Sequence, residues 1–260
     1  MTVQDIYRIL DEAAPFASQE SYDNSGLLVG SGNQEVHKVL LTLDITVPVI
    51  EEAIACGADL ILSHHPVIWS PLKSLSPQNP VWLLARNNIA AICSHTCMDI
   101  AAEGLNTLCG RKLNAALGFD GASEPLELLS GNRVLGACAN LQTEIDADTL
   151  AQKLGYTFNR HTLRYCDGGK PIRKVAWCTG SGGDLIETAI ERGADALITG
   201  DCKHSIWVLA QNLGFTLFDC GHFETEVIVT QCFQELLAPY ADSFELVLSK
   251  VGTTPLFKTI

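Results

Sequence analysis

Short apolar runs recur along the chain, separated by stretches whose apolar residues return at helical spacing. In the first part such runs fall at residues 39–43, 60–63 and 89–93, with helices predicted over 47–55 and 81–87. Further on they fall at 175–179, 196–199 and 215–218, with helices predicted over 185–191 and 204–212. Gly57, Gly193 and Gly214 stand where helices should close, a position that favours a residue without Cβ. Strands that are apolar throughout and alternate with helices predict mostly parallel sheets covered on both faces, an α/β fold. Ahead of these, Ile6, Ile9 and Leu10 give residues 3–14 the spacing of a helix. Residues 22–30 read as a turn into a short strand, with Asn24 and Gly26 suited to unusual backbone angles.

The two series are copies of one pattern. Residues 38–59 align without a gap on residues 174–195 at an offset of 136, and Ile50-Glu51-x-Ala53-Ile54-x-x-Gly57-Ala58-Asp59 answers Ile186-Glu187-x-Ala189-Ile190-x-x-Gly193-Ala194-Asp195. This suggests a first αβ half over 1–124, a connecting αβ segment over 125–170 and a second αβ half over 171–260, in one continuous globular unit. The expected architecture is two pseudo-symmetric αβ halves whose sheets face a shared cleft. In the connecting segment a helix is predicted over 146–154, with turns at Gly131-Asn132 and Asp167-Gly168-Gly169.

Ligands of α/β sheets collect at the carboxyl ends of the strands, and the chain's reactive side chains fall there. Ser63-His64-His65-Pro66 ends one strand; adjacent side chains can converge only where a strand stops and turns, and Pro66 supplies the stop. Ser94-His95-Thr96-Cys97-Met98-Asp99 and Gly221-His222-Phe223-Glu224-Thr225-Glu226 each follow an apolar run and place an acid four residues after a histidine. His95 and His222 differ by 127, so the first half carries nine extra residues, which fit in the Pro-rich loop at 66–80. Thr179-Gly180-Ser181-Gly182-Gly183-Asp184 is a glycine-rich turn between strand and helix, open to two readings: contact with an anionic substrate, or a tight structural turn. His161 is the one conceivable ligand of the connecting segment, and a lone loop histidine is usually just solvated.

Composition narrows the classes. The 260 residues are 47% hydrophobic, enough for a substantial core. A formal charge of −13 with 17 scattered Lys and Arg disfavours nucleic acid as a partner, while bound cations would let a pocket accept anionic small molecules. With acids at Asp5, Asp11 and Glu12 no signal peptide is expected, and no apolar run reaches the roughly 18 residues of a spanning helix, so no membrane partner is expected. Ten cysteines without CxxC pairs are expected to be reduced thiols in a cytoplasm; Cys97, lacking partner thiols, is not expected to bind metal.

In combination, His64-His65-Pro66, the two His-x3-acid segments, Asp23-Asn24-x-Gly26-Leu27 and Trp177-Cys178-Thr179-Gly180 make the chain resemble the Nif-three-like dinuclear-metal proteins, the GTP cyclohydrolase 1 type 2 homologues. The resemblance covers essentially the whole length. It implies His64, His65, Asp99, His222 and Glu226 as metal ligands, two divalent ions per chain (zinc, manganese or iron) and a toroidal homohexamer. Longer members insert a further domain between the halves, for which this chain has no room. Glu226, with the longer arm, is the expected bridging ligand. His95 is left beside the site as a catalytic acid or base or, alternatively, as a hydrogen-bond partner of the ligands. Two function classes follow. One is a hydrolase using a metal-bound hydroxide on a nucleotide or related small molecule, by resemblance opening the purine ring of GTP at C8. The other is a metal-binding assembly or regulatory protein without turnover.

Overall fold

The computed structural model describes residues 1–129, 133–160 and 162–256, so the expected turn at Gly131-Asn132 and the loop histidine His161 lie outside the described residues. Along the chain run α1 (Val3–Ala13), β1 (Gly26–Val29), β2 (Lys38–Thr42), α2 (Val47–Cys56), β3 (Leu60–Ser63), α3 (Pro80–Arg86), β4 (Ala90–Cys93) and α4 (Thr96–Asp99). Then come α5 (Leu105–Leu117), β5 (Glu124–Leu128), β6 (Val134–Ile145), α6 (Ala147–Thr157), β7 (Arg164–Cys166), β8 (Ile172–Trp177) and α7 (Ile186–Glu191). The chain continues through β9 (Ala196–Thr199), α8 (His204–Leu213), β10 (Thr216–Asp219), α9 (His222–Glu226), α10 (Val229–Leu237) and β11 (Glu245–Leu248). Two compact units result: residues 1–104 with the described residues from 229 on, and residues 105–228.

In the first unit the strand order is β1-β4-β3-β2-β11, parallel except for β1. Leu40, Ile61 and Ala91 lie in register across its middle and join Val49, Ile50, Ala53 and Leu84 of α2 and α3 in one core cluster. Their neighbours Leu41, Leu60, Leu62 and Ile92, which point to the other face, are fully buried as well. Burial on both faces is why these strands read as unbroken apolar runs. The amino-terminal helix α1 starts in a reciprocal capping box, Thr2 accepting from the Asp5 backbone and Asp5 from the Thr2 backbone, and packs against α10.

In the second unit the order is β5-β6-β8-β9-β10-β7, with β8, β9 and β10 parallel and β5, β6 and β7 antiparallel. One face packs Val175, Trp177, Ile198 and Phe218 against Leu113 of α5 and Leu150 and Leu154 of α6. The other packs Ala176, Leu197 and Leu217 against Ile186 and Ala189 of α7 and Ile206 and Ala210 of α8.

The repeat is real at the level of hydrogen bonds. Val39 faces Leu60 in the first sheet and Val175 faces Ala196 in the second, the same register 136 residues on. Asp59 accepts from the backbone of His37 and Lys38, and Asp195 accepts from that of Arg173 and Lys174, each closing the turn before the second strand of its β-α-β unit. The compact units nevertheless divide the chain elsewhere than the halves expected from the repeat. Within 171–260, β11 pairs with β2, covering an edge whose backbone groups would otherwise stay open, and α10 packs on β2. The segment expected to connect the halves, 125–170, supplies β6 and β7 to the second sheet.

Candidate metal centre

In the first unit, β3 ends at Ser63 and the chain turns at once: the backbone N–H groups of His64 and His65 both donate to Leu43 O, at 3.2 and 3.0 Å. This turn lets two adjacent imidazoles serve one site, as the Pro66 stop implies. His95 follows β4 as the residue before α4, and its ring joins theirs: centroids lie 5.2 Å (His64–His65), 5.1 Å (His64–His95) and 5.5 Å (His65–His95) apart. One nitrogen of each of these three rings falls within 4.8 Å of the others, a spacing suited to metal ligation. Asp99, at the end of α4, brings Oδ1 to 3.6 Å from His64 Nε2.

In the second unit, His222 opens α9 and Glu226 lies one turn on, with His222 Nε2 2.8 Å from Glu226 Oε2. The two His-x3-acid segments thus differ: His222 meets its own acid, whereas Asp99 faces His64. Arg160 ion-pairs with Glu224 at 2.6 Å and donates to Cys220 O at 3.2 Å, tying α9 at its start.

The geometry of the rings is informative about their tautomers. His64 Nδ1 lies 2.9 Å from Ser94 O, and a carbonyl can only accept, so Nδ1 carries the proton and Nε2 keeps its lone pair. His65 Nδ1 is held by Asp44 at 2.8 Å, His95 Nδ1 by Asp23 at 2.8 Å and His222 Nδ1 by Asp201 at 2.9 Å. Four imidazoles are therefore oriented through Nδ1, the arrangement that fixes metal-ligating histidines and raises their basicity. Together with the carboxylates of Asp99 and Glu226 they form mixed nitrogen and oxygen donor sets that suit first-row divalent ions. The residues present fit the implied metals.

Asp23 is the hub of the first set. Burial alone would raise its carboxyl, but hydrogen bonds from His95 and Thr96 outweigh that and hold it well below the usual range. It accepts from His95 Nδ1, Asn24 N, Ser25 Oγ, Thr96 N and Thr96 Oγ1. Cys97 is fully buried and points to Ser94 Oγ at 3.4 Å, and burial raises its thiol, all unlike a ligand. No cysteine is in a disulfide.

The glycine-rich turn resolves toward the structural reading. Thr179 N donates to Asn106 Oδ1, Gly180 N to Thr225 Oγ1 and Gly182 N to Thr199 Oγ1, so these N–H groups are spent within the protein rather than presented to an anion. Gly180 has φ 66°, and a Cβ there would collide with the Glu226 carboxylate; glycine is what lets that side chain lie flat against the turn.

Sequence reasoning missed Asp23, Asp44 and Asp201 as partners of the histidines. A signal for one was available: at the repeat offset of 136, Gly200-Asp201 occupies the place of His64-His65. Among the described residues no helix is long and apolar enough to cross a membrane.

Comparisons with known proteins agree in their direction. The family described as Duf34/NIF3 (NGG1p interacting factor 3) matches residues 1–255. A Campylobacter jejuni "GTP cyclohydrolase 1 type 2 homolog" is 35% identical over 237 residues, 89% of this chain and 90% of that one. A Helicobacter pylori "GTP cyclohydrolase 1 type 2" is 34% identical over 228 residues, 86% of each chain. Among solved structures, a Staphylococcus aureus hypothetical protein superposes with a TM-score of 0.89 at 25% identity, covering 100% of this chain and 99% of that one. A Bacillus cereus protein related to NIF3 shares the fold with a TM-score of 0.87 at 21% identity, over 100% and 99% of the two chains.

Proposed function

The chain belongs to the Duf34/NIF3 (NGG1p interacting factor 3) family, and on that premise we propose that it is a dinuclear metal-dependent hydrolase of the GTP cyclohydrolase 1 type 2 kind. Its substrate on this reading is a nucleotide or related small molecule. The observation that carries the proposal is the orientation of the His64, His65 and His222 imidazoles through Nδ1, which assigns metal donation to Nε2 of each.

On this proposal His64, His65, Asp99, His222 and Glu226 are the side chains that would hold two divalent ions. Two divalent ions, when bound, supply Lewis acidity and lower the pKa of a water. The chain's own residues do the rest. Ser94 O, Asp44 and Asp201 fix the ligand rings so that little reorganisation is needed. Gly180 keeps the Glu226 carboxylate in place. His95 is the catalytic residue: Asp23 holds the proton on Nδ1, so Nε2 is free to take a proton or deliver one at the substrate. A ring-shaped homohexamer working in the cytoplasm belongs to the same proposal and is checked by sedimentation of the purified chain.

Metal-loaded protein incubated with a panel of nucleotides and phosphoesters tests it. Turnover should appear with GTP or a related compound and vanish in His64→Ala and Glu226→Ala. Protein that holds its metals and transforms nothing on the panel would contradict the hydrolase and favour a metal-binding assembly or regulatory protein.

A further inference from the structure

Trp69 stands beside the first donor set in a manner that ligand binding does not require. Its indole meets the His95 imidazole at 86° with centroids 5.2 Å apart, and lies 6.4 Å from the His65 ring. Yet the residue is 54% exposed. An indole that served only to seal the imidazoles from water would be buried, and one that belonged to a wandering loop would be untethered. Trp69 is neither: Asn24 Nδ2 donates to the carbonyl of the preceding residue, Ile68, at 2.6 Å. The neighbouring Asp23 holds His95. One dipeptide, Asp23-Asn24, therefore fixes both the proposed acid–base group and the indole next to it.

From this juxtaposition we infer that Trp69 is a stacking platform for the nucleobase of the substrate. The inference rests on the reading of this site as one that handles a small molecule. A half-bare indole offers a broad π-face that has already lost much of its freedom, and it accepts any base because every base has a π-face. A ring laid parallel to the indole stands nearly perpendicular to the His95 imidazole, as the indole itself does. The His95 ring, set across the indole, does not lie parallel to that face and so does not occupy it as a stacked base would.

The test is calorimetric binding of guanosine, GTP and inorganic triphosphate to the metal-loaded full chain, as wild type, Trp69→Phe and Trp69→Ala. Guanosine and GTP should bind the wild type, lose about 5- to 150-fold in affinity in Trp69→Ala and lose little in Trp69→Phe, the range and pattern of base–aromatic stacking. Triphosphate affinity and metal content should be the same in all three proteins. Equal guanosine binding by wild type and Trp69→Ala, or triphosphate binding that accounts for all of the GTP affinity, would overturn the platform. Failure of the hydrolase reading looks different: guanosine binding would still depend on Trp69 while no compound on the panel was turned over.

Discussion

Replacing Asp23 by Asn keeps the shape of the side chain and removes its charge, and the structure lets the cost be worked out atom by atom. The Asp23 side chain is fully buried. Its Oδ1 accepts from Asn24 N at 2.7 Å and His95 Nδ1 at 2.8 Å, and its Oδ2 from Thr96 N at 3.0 Å and from the hydroxyls of Thr96 at 2.6 Å and Ser25 at 3.0 Å. Hydroxyls can rotate to accept from an amide, and His95 can change tautomer, but a backbone N–H can do neither. Whichever way the new amide turns, its NH2 confronts the N–H of Thr96 or that of Asn24. One buried orphan donor costs about 1–3 kcal/mol, and losing charge assistance on the remaining bonds adds about 1 kcal/mol. Asp23→Asn should therefore destabilise the first unit by about 2–4 kcal/mol. Asp44 makes the useful contrast: its side chain is 31% exposed and its amide oxygen could still accept from His65 Nδ1, so Asp44→Asn should cost about 1 kcal/mol or less. Urea denaturation of the metal-free proteins at neutral pH measures both. Because hydrogen bonds hold the Asp23 carboxyl below its ordinary value of 3.8, its stabilisation is complete above that value and is lost as pH falls through the lower folded value. The gap between wild type and Asp23→Asn should then narrow in acid as pH falls below the usual carboxylate range. If Asp23→Asn were no more harmful than Asp44→Asn, the account of Asp23 as a hub would be refuted.

Three further outcomes are expected. Gly180→Ala, which forces a side chain into φ 66° and against the Glu226 carboxylate, should cost about 1–2 kcal/mol and lower the metal content read by elemental analysis; an unchanged content would show that Glu226 is not held by that turn. His95→Asn should leave metal content intact while the rate on an established substrate falls by about 10² to 10⁴, whereas loss of metal along with activity would make His95 a ligand. In the second unit's core, Gly110→Ala places a Cβ 2.6 Å from Cζ2 of the buried Trp177, and overpacking of this kind costs about 1–3 kcal/mol, visible as a lowered urea midpoint with an altered near-ultraviolet signal.

What could be read in the chain beforehand was what local pattern encodes. The β-α-β units were legible because both faces of β2, β3, β8 and β9 are buried, so the apolar runs are continuous, and because Gly57 and Gly214 adopt φ 72° and 58° at helix ends. β6 escaped because its burial does not alternate cleanly over Val134–Ile145 and its pairing with β5 and β8 is a tertiary choice. β11 escaped because Glu245–Leu248 buries no residue fully and its partner β2 lies at the other end of the chain. The donor histidines stood out by their spacing, whereas the carboxylates that orient them did not. Asp23 is 72 residues from His95, and it is the antiparallel pairing of β1 with β4, Gly26 opposite Cys93, that brings the two together. The glycine-rich turn at 179–184 stayed open to two readings because glycine spacing cannot say where the N–H groups point, and here those of Thr179, Gly180 and Gly182 point inward.

The central claim, that these side chains hold two divalent ions per chain, is tested most directly by counting metal in protein reconstituted with zinc, manganese or ferrous iron and freed of excess. The parent should retain about two ions per chain. His64→Ala and Glu226→Ala should each lower that count, because each removes a proposed ligand. A parent chain that retains no ion from any of the three metals would contradict the account outright. Retention that stayed whole in either variant would show that the substituted side chain holds no ion.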